Sequence, residues 1–189
     1  MLTDSAYEVL RTLASPVVAV TSANGRCRNG MILDSAIRAS ISPVVPRLAV
    51  YIHKWHLTHE LVASTRRFVL HLLHRDQFDL IRRLGFASGR DRDKLAGLRL
   101  EDSTIGVPVL GECYAAFECR VVNTMDAGAS TFFLADVVET RRGPGTDIMT
   151  AEYFRANMPG EWRGEFERNY REAQDRIAAT AEITNPRWP

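Results

Sequence analysis

Pro16-Val-Val-Ala-Val-Thr-Ser-Ala-Asn-Gly-Arg-Cys-Arg-Asn-Gly-Met-Ile-Leu-Asp34 is the stretch on which the architecture turns. Its opening residues are β-branched and apolar, the composition of a strand. Asn24-Gly25 is the strongest short hairpin signal, so a β-hairpin is expected over about 16–34. Upstream, residues 3–13 read as a short amphipathic helix, with Asp4 placed to cap it and Tyr7, Leu10 and Leu13 along one face. Pro16 stops that periodicity.

Downstream, residues 47–53 alternate, with Leu48, Val50 and Ile52 on one face and Ala49, Tyr51 and His53 on the other. A helix is expected from about Thr58, with Glu60 in its first turn, and a strand over 68–73. Phe78, Ile81 and Leu84 recur every three residues behind Asp76, expected as the cap of a further helix that Gly85 ends. Residues 85–106, rich in glycine and alternating charge, read as a surface excursion with a helical turn or two at most. Strands over 114–123 and 130–140 flank the turn Asp126-Ala-Gly128. After the loop Arg141-Arg-Gly-Pro-Gly145 the period becomes helical: Trp162, Phe166, Tyr170, Ala173 and Ile177 form a stripe over about 161–180. Glu167 with Arg171, and Glu172 with Arg176, add ion pairs one turn apart. Six or so strands without a βαβ rhythm point to an antiparallel barrel of the α+β kind, dominated by β, with a doubly wound parallel sheet as the lesser option.

Composition excludes several classes. The 189 residues are 46% hydrophobic and 25% charged, with net charge +1, which fits one globular domain and gives no electrostatic case for nucleic acid or an anionic membrane. No apolar run reaches the ~20 residues that span a bilayer, and acidic Asp4 and Glu8 stand where a secretory signal would be basic, so a cytoplasmic protein is expected. Cys27, Cys113 and Cys119 form no CxxC pair and suit neither a disulfide framework nor structural zinc. His53, His56 and His59 are spaced by three but straddle a strand end and a helix start, so no metal site is expected. Of the 24 basic residues all but Lys54 and Lys94 are arginine, which marks these two as places where a compact ammonium differs from a guanidinium.

Polar residues that break the strand pattern cluster between the first hairpin and the second helix. They are Asn29-Gly-Met-Ile-Leu-Asp-Ser35, then Ser40-Ile-Ser42 before Pro43 and Pro46, then His53-Lys-Trp-His-Leu-Thr58. Small hydroxyls, a lysine and a helix N-terminus make a cradle for phosphate, although a plain serine-rich loop has the same composition. The chain has no Gly-x-Ser-x-Gly elbow, no His-Glu-x-x-His and no glycine fingerprint for a dinucleotide or P-loop.

In this order, residues 14–22, Asn29-Gly-Met31, Ser35, Ser40-Ile-Ser42-Pro43, Lys54, Thr58 and Arg67-Phe-Val-Leu-His-Leu72 resemble the flavin reductase-like domain, an FMN-binding split barrel. Phe86-Ala-Ser-Gly-Arg-Asp-Arg-Asp-Lys94 resembles a Ser-Gly-Arg-Asp-x-Asp-Lys signature in a microbial branch of that family. The resemblance implies one domain over 1–189: an antiparallel Greek-key split β-barrel over about 14–140, flanking helices, and a C-terminal helical extension over about 148–182. It implies non-covalent FMN, with the segment Asn29, Gly30, Met31, Ile32, Leu33, Asp34 and Ser35 meeting the ring through main-chain groups. Ser40, Ser42, Lys54, His56 and Thr58 would serve the phosphate, and Ser88, Arg90 and Lys94 are further candidates. It also implies NAD(P)H as electron donor, free flavin or a redox protein as partner, and a homodimer.

One departure bears on activity. Relatives carry Gly-Asp-His after the turn, and the histidine helps place nicotinamide; here the run is Gly128-Ala-Ser-Thr131, with Ser130 in the histidine slot. Three functions stay open: an FMN-dependent reductase, an FMN-binding electron carrier without efficient NAD(P)H use, and a barrel without flavin kept for assembly.

Overall fold

β1 (Val18–Ala23) is buried along its whole length because its two faces belong to two cores. Val18 and Val20 pack inside the barrel with Ile52, Phe68 and Phe133, whereas Ala19 packs outside it with Ile81, Leu84 and Met149. That is why Val18-Ala-Val20 is apolar without alternation, and the buried Thr21 and Ser22 hydroxyls that follow donate to the Pro108 and Arg67 carbonyls. The computed structural model describes residues 16–144 and 146–179, with Val9 and Leu13. The expected helix over 3–13 otherwise lies outside the described residues.

β1 pairs with β2 (Arg28–Leu33), the hairpin read from Asn24-Gly25; Gly25 sits at φ +84°, where a side chain is disfavoured. The short β3 (Ala36–Arg38) follows, then β4 (Arg47–His53), α1 (Leu57–Thr65), β5 (Arg67–Leu72) and α2 (Phe78–Gly85). β6 (Leu100–Glu101) and β7 (Val109–Leu110) form a small separate ribbon, and β8 (Ala115–Asp126) and β9 (Ser130–Arg142) are the long hairpin. α3 (Ala151–Asn157), a 3-10 turn (Gly160–Trp162) and α4 (Arg163–Ala179) close the described chain. The main sheet has seven strands in the order β2-β1-β5-β8-β9-β4-β3, and every pairing is antiparallel. Its edges, β2 and β3, are separated in the chain by Asp34 and Ser35 alone. A sheet whose opposite edges are consecutive in sequence must curl until they meet, so it forms a barrel split at that junction.

Several expectations need correction. β3, β6, β7 and α3 are too short to leave a periodic signal. Asp76 does not cap α2, whose N-cap is Gln77. The 85–106 segment is not purely a surface excursion, since Leu95 is fully buried against α2. The C-terminal helix is preceded by α3, whose Thr150 cap accepts from the Tyr153 N–H at 3.0 Å.

Two buried polar groups pin the small ribbon to the barrel. Glu118, with no exposed surface, accepts from Arg141 Nη2 at 2.9 Å through one oxygen. Its other oxygen accepts from the Thr104 N–H at 2.9 Å and Oγ1 at 2.6 Å. His71, also fully buried, takes the Leu110 N–H on Nε2 at 3.0 Å and donates from Nδ1 to the Ala19 carbonyl at 3.3 Å. That pattern requires the neutral ring, and burial pulls its pKa down to about 4.

Glu118→Ala should therefore cost about 2–3 kcal/mol in urea unfolding, the lower end of the range for a broken buried pair because Arg141 is partly exposed. Because the folded-state pKa of His71 lies below its unfolded value, its contribution is complete above the unfolded pKa of about 6.5. The contribution is lost as pH falls from there toward about 4. The urea midpoint of the wild type should fall through that window, and less steeply in His71→Gln.

Candidate functional site

The split is where β2, α1 and the 86–94 segment converge. Asn29 on β2 is buried, and its Nδ2 donates to Thr58 Oγ1 at 2.9 Å, tying the strand to the first turn of α1. A Cβ on Gly89 would stand 2.1 Å from Asn29 Oδ1, so the segment lies directly on that carboxamide and only glycine fits. Arg28 and Asp93 add an ion pair at 3.1 Å, and Arg90 grips Glu60 on α1 through both terminal nitrogens. The Arg90 contact holds the Glu60 carboxyl below its usual range. Ser88 serves the loop itself, its Oγ accepting from the Arg90 N–H at 3.1 Å.

Lys94 corrects the sequence reading. It is neither a solvated loop lysine nor aimed at an anion, because its buried Nζ donates to the carbonyls of Leu84 (2.6 Å) and Ala87 (3.1 Å), closing the C-terminal end of α2. Burial draws its pKa down to about 8. A compact ammonium reaches several carbonyls where a planar guanidinium would not fit, which accounts for lysine in an arginine-rich chain. Thr58 also differs from expectation: the N-cap of α1 is His56, and the Thr58 hydroxyl is taken by Asn29.

The N-cap residue of α1, His56, makes no capping bond with its side chain. Helices leave their first N–H groups without partners inside the helix, so this end is a donor cluster with partial positive charge. Lys54 lies beside it, its main-chain N–H donating to the Ala129 carbonyl at 2.9 Å and its Nζ paired with Asp126 at 2.7 Å. That pairing holds the Asp126 carboxyl below its usual range. Burial lowers the pKa of His53, His56 and His59, that of His56 to about 4, so all three are neutral at pH 7. His53 stacks on Trp55 at 4.3 Å, and Arg176 of α4 lies 6.0 Å over that indole. Among the described residues no group of three His, Cys, Asp or Glu side chains is arranged to hold a metal ion.

The rest of the β2 segment divides by face. Met31 and Leu33 point into the barrel core, Gly30 packs under Leu84 and Leu95, and Ile32 packs outside. Asp34 pairs with Arg155 of α3 at 3.3 Å, and Ser35 Oγ donates to the Tyr51 carbonyl at 2.9 Å. The Ser35 carbonyl accepts from the Tyr51 N–H at 3.1 Å, so the main chain at 32–34 is the part left at the split.

Two expected placements do not hold within the chain. Ser40 and Ser42 bond to each other through the Ser42 N–H and Ser40 Oγ (3.1 Å) and line a separate groove with Leu48, Leu70 and Phe117. The pairing of β3 with β4 carries that turn away from the junction. Ser130 is fully buried, its hydroxyl engaged by His53 Nδ1 at 2.5 Å across the β4–β9 register, so it presents no surface to an incoming ligand. His53 and Trp55, which the sequence placed only within the polar 53–58 stretch, stand at the junction, as does Glu60, to which it gave no site role. The alternation of β4 put His53 opposite Leu48, Val50 and Ile52, the one signal that marked it.

The fold and junction are those of a known class. The chain belongs to the flavin reductase like domain family, whose sequence pattern matches residues 10–160. It is 32% identical over 149 residues to the high molecular weight rubredoxin of Moorella thermoacetica, a match covering 78% of this chain and 64% of that protein. It is 28% identical over 150 residues to the reductase component of a 4-nitrophenol 4-monooxygenase/4-nitrocatechol 2-monooxygenase of Rhodococcus opacus, covering 79% and 76%. The crystal structure of flavoredoxin from Methanosarcina acetivorans superposes with a TM-score of 0.63 at 24% identity, covering 68% of this chain and 69% of that one. No helix among the described residues is long and apolar enough to cross a membrane.

Gly89→Ala should destabilise the protein by about 2 kcal/mol or more through overpacking. Asn29→Ala added to it should recover part of that loss, because it removes the group the new methyl strikes; denaturant unfolding of the two single variants and the double variant measures this coupling.

Proposed function

We propose that this chain is an FMN-binding oxidoreductase of the flavin reductase type, taking hydride from NAD(P)H and passing electrons to free flavin or another acceptor. The observation that carries the reading is the first turn of α1, with no side-chain bond from its N-cap, set beside Lys54 and against the β2 main chain where the barrel splits. That donor set suits an FMN phosphate, and the neighbouring main chain at 32–34 suits the polar edge of the ring. Bound FMN supplies hydride acceptance and one- or two-electron delivery. The protein's own part is to hold the phosphate with the α1 N–H groups and Lys54, and to fix α1 through Asn29. Arg90 braces Glu60 and so holds the first turn of α1 in place. Lys94 acts through the 86–94 segment and not on the phosphate.

The buried Ser130 favours a second reading, an FMN-binding electron carrier with little use for NAD(P)H. The two share the cofactor and differ in donor. The protein would work as a single flavin-binding unit in the cytoplasm, and as a homodimer. Ile37, Ile41, Val44 and Val45 give an exposed apolar patch around the β3–β4 turn, the kind of surface that a second subunit covers. In that dimer Ser40 and Ser42 would lie at the contact.

Titration with FMN should quench flavin fluorescence to saturation, and Lys54→Gln should weaken binding by roughly five- to tenfold. Absence of quenching in the wild type would remove both readings. Steady consumption of NADH or NADPH that depends on FMN selects the reductase, and its absence with FMN bound selects the carrier. Light scattering should give a dimer for the wild type and a monomer for Ile41→Asp.

A further inference from the structure

α4 begins after residue 160, where the family match ends. It has no fully buried residue, yet it roofs a cavity of about 250 Å³ bounded by the end of β2, α2 and α3. Phe86, Phe154, Phe166 and Tyr170 supply aromatic walls. Phe166 stands 6.1 Å from Phe86, edge-on to Phe154 at 5.8 Å and stacked on Tyr170 at 6.2 Å. These are separations at which rings attract, so a further ring entering the space meets faces and edges already set for it.

The size is selective. A cavity of roughly 150 Å³ takes benzene, and pockets for drug-sized molecules begin at about 300 Å³. The space is of the size of one substituted ring. The polar lining is equally restrictive. Its charged groups among the described residues, Asp34 and Arg155, pair with each other at 3.3 Å, which leaves no call for an ionised ligand. His56 and Asn169 remain as neutral hydrogen-bonding partners.

We propose that this cavity binds a neutral single-ring phenol, its ring among Phe86, Phe154, Phe166 and Tyr170 and its hydroxyl on His56. Of its lining, Phe166, Asn169, Tyr170 and Ala173 lie beyond the residues that the family pattern matches. It rests on the flavin reading only for its consequence, that the phenol lies along the same β2–α1 wall as the cofactor.

The test titrates the full chain with 4-methylphenol by calorimetry, and in parallel with FMN by fluorescence quenching. Wild type, Ala173→Trp, which fills the cavity from α4, and the milder Ala173→Leu are compared. Saturable phenol binding is expected in the wild type, weakened by about tenfold or more in Ala173→Trp and by less in Ala173→Leu, with FMN affinity unchanged within about twofold. If the tryptophan variant does not fold, the leucine variant decides by the same criterion. No saturable phenol binding in the wild type, or equal affinity in the variants, overturns the proposal. So does a parallel loss of FMN, which would make the cavity the flavin's own seat. Phenol binding without FMN binding leaves the pocket standing and removes the flavin reading alone.

Discussion

The two-residue link between β2 and β3 is the constraint on which the rest depends. Asp34 and Ser35 join strands that end up at opposite edges of a seven-stranded sheet, and that link allows only a curled sheet whose edges come together. Closure leaves a seam, because β2 and β3 are not hydrogen-bonded neighbours. Main-chain groups at a seam have no ladder partner and are free to serve a ligand. The place where the barrel fails to close is therefore the place where binding is cheapest to build.

Around that seam the fold invests in rigidity. Asn29 ties β2 to α1, Gly89 lets the 86–94 segment lie flat on Asn29, Arg90 reaches Glu60, and Lys94 holds the far end through the carbonyls of α2. The Asn29 and Arg90 contacts are polar links between elements distant in sequence, and they fix the first turn of α1, while Lys94 braces the segment that carries Gly89 and Arg90. The neutral histidines keep the local charge in Lys54 and the arginines.

Family membership accounts for the barrel and junction, but not for the far C-terminal region. α3 and α4 bring their own aromatic side chains against the outer face of β2, with Asp34 as the point of attachment through Arg155.

What the sequence settled by itself was the set of strong local signals. Asn24-Gly25 fixed the first hairpin, the alternation at 47–53 fixed the inward face of β4, and the stripe from Trp162 to Ala173 fixed α4, because each follows from side-chain periodicity or turn chemistry alone. The ordered motifs from Ala14 to Leu72 were enough to identify the family. Tertiary structure alone decided that Lys94 is a helix-end brace, that Ser130 is sealed by His53, that Ser40 and Ser42 leave the junction, and that α4 covers a cavity. Those outcomes depend on which distant backbone each side chain meets, and sheet register and helix docking set that over separations no local pattern records.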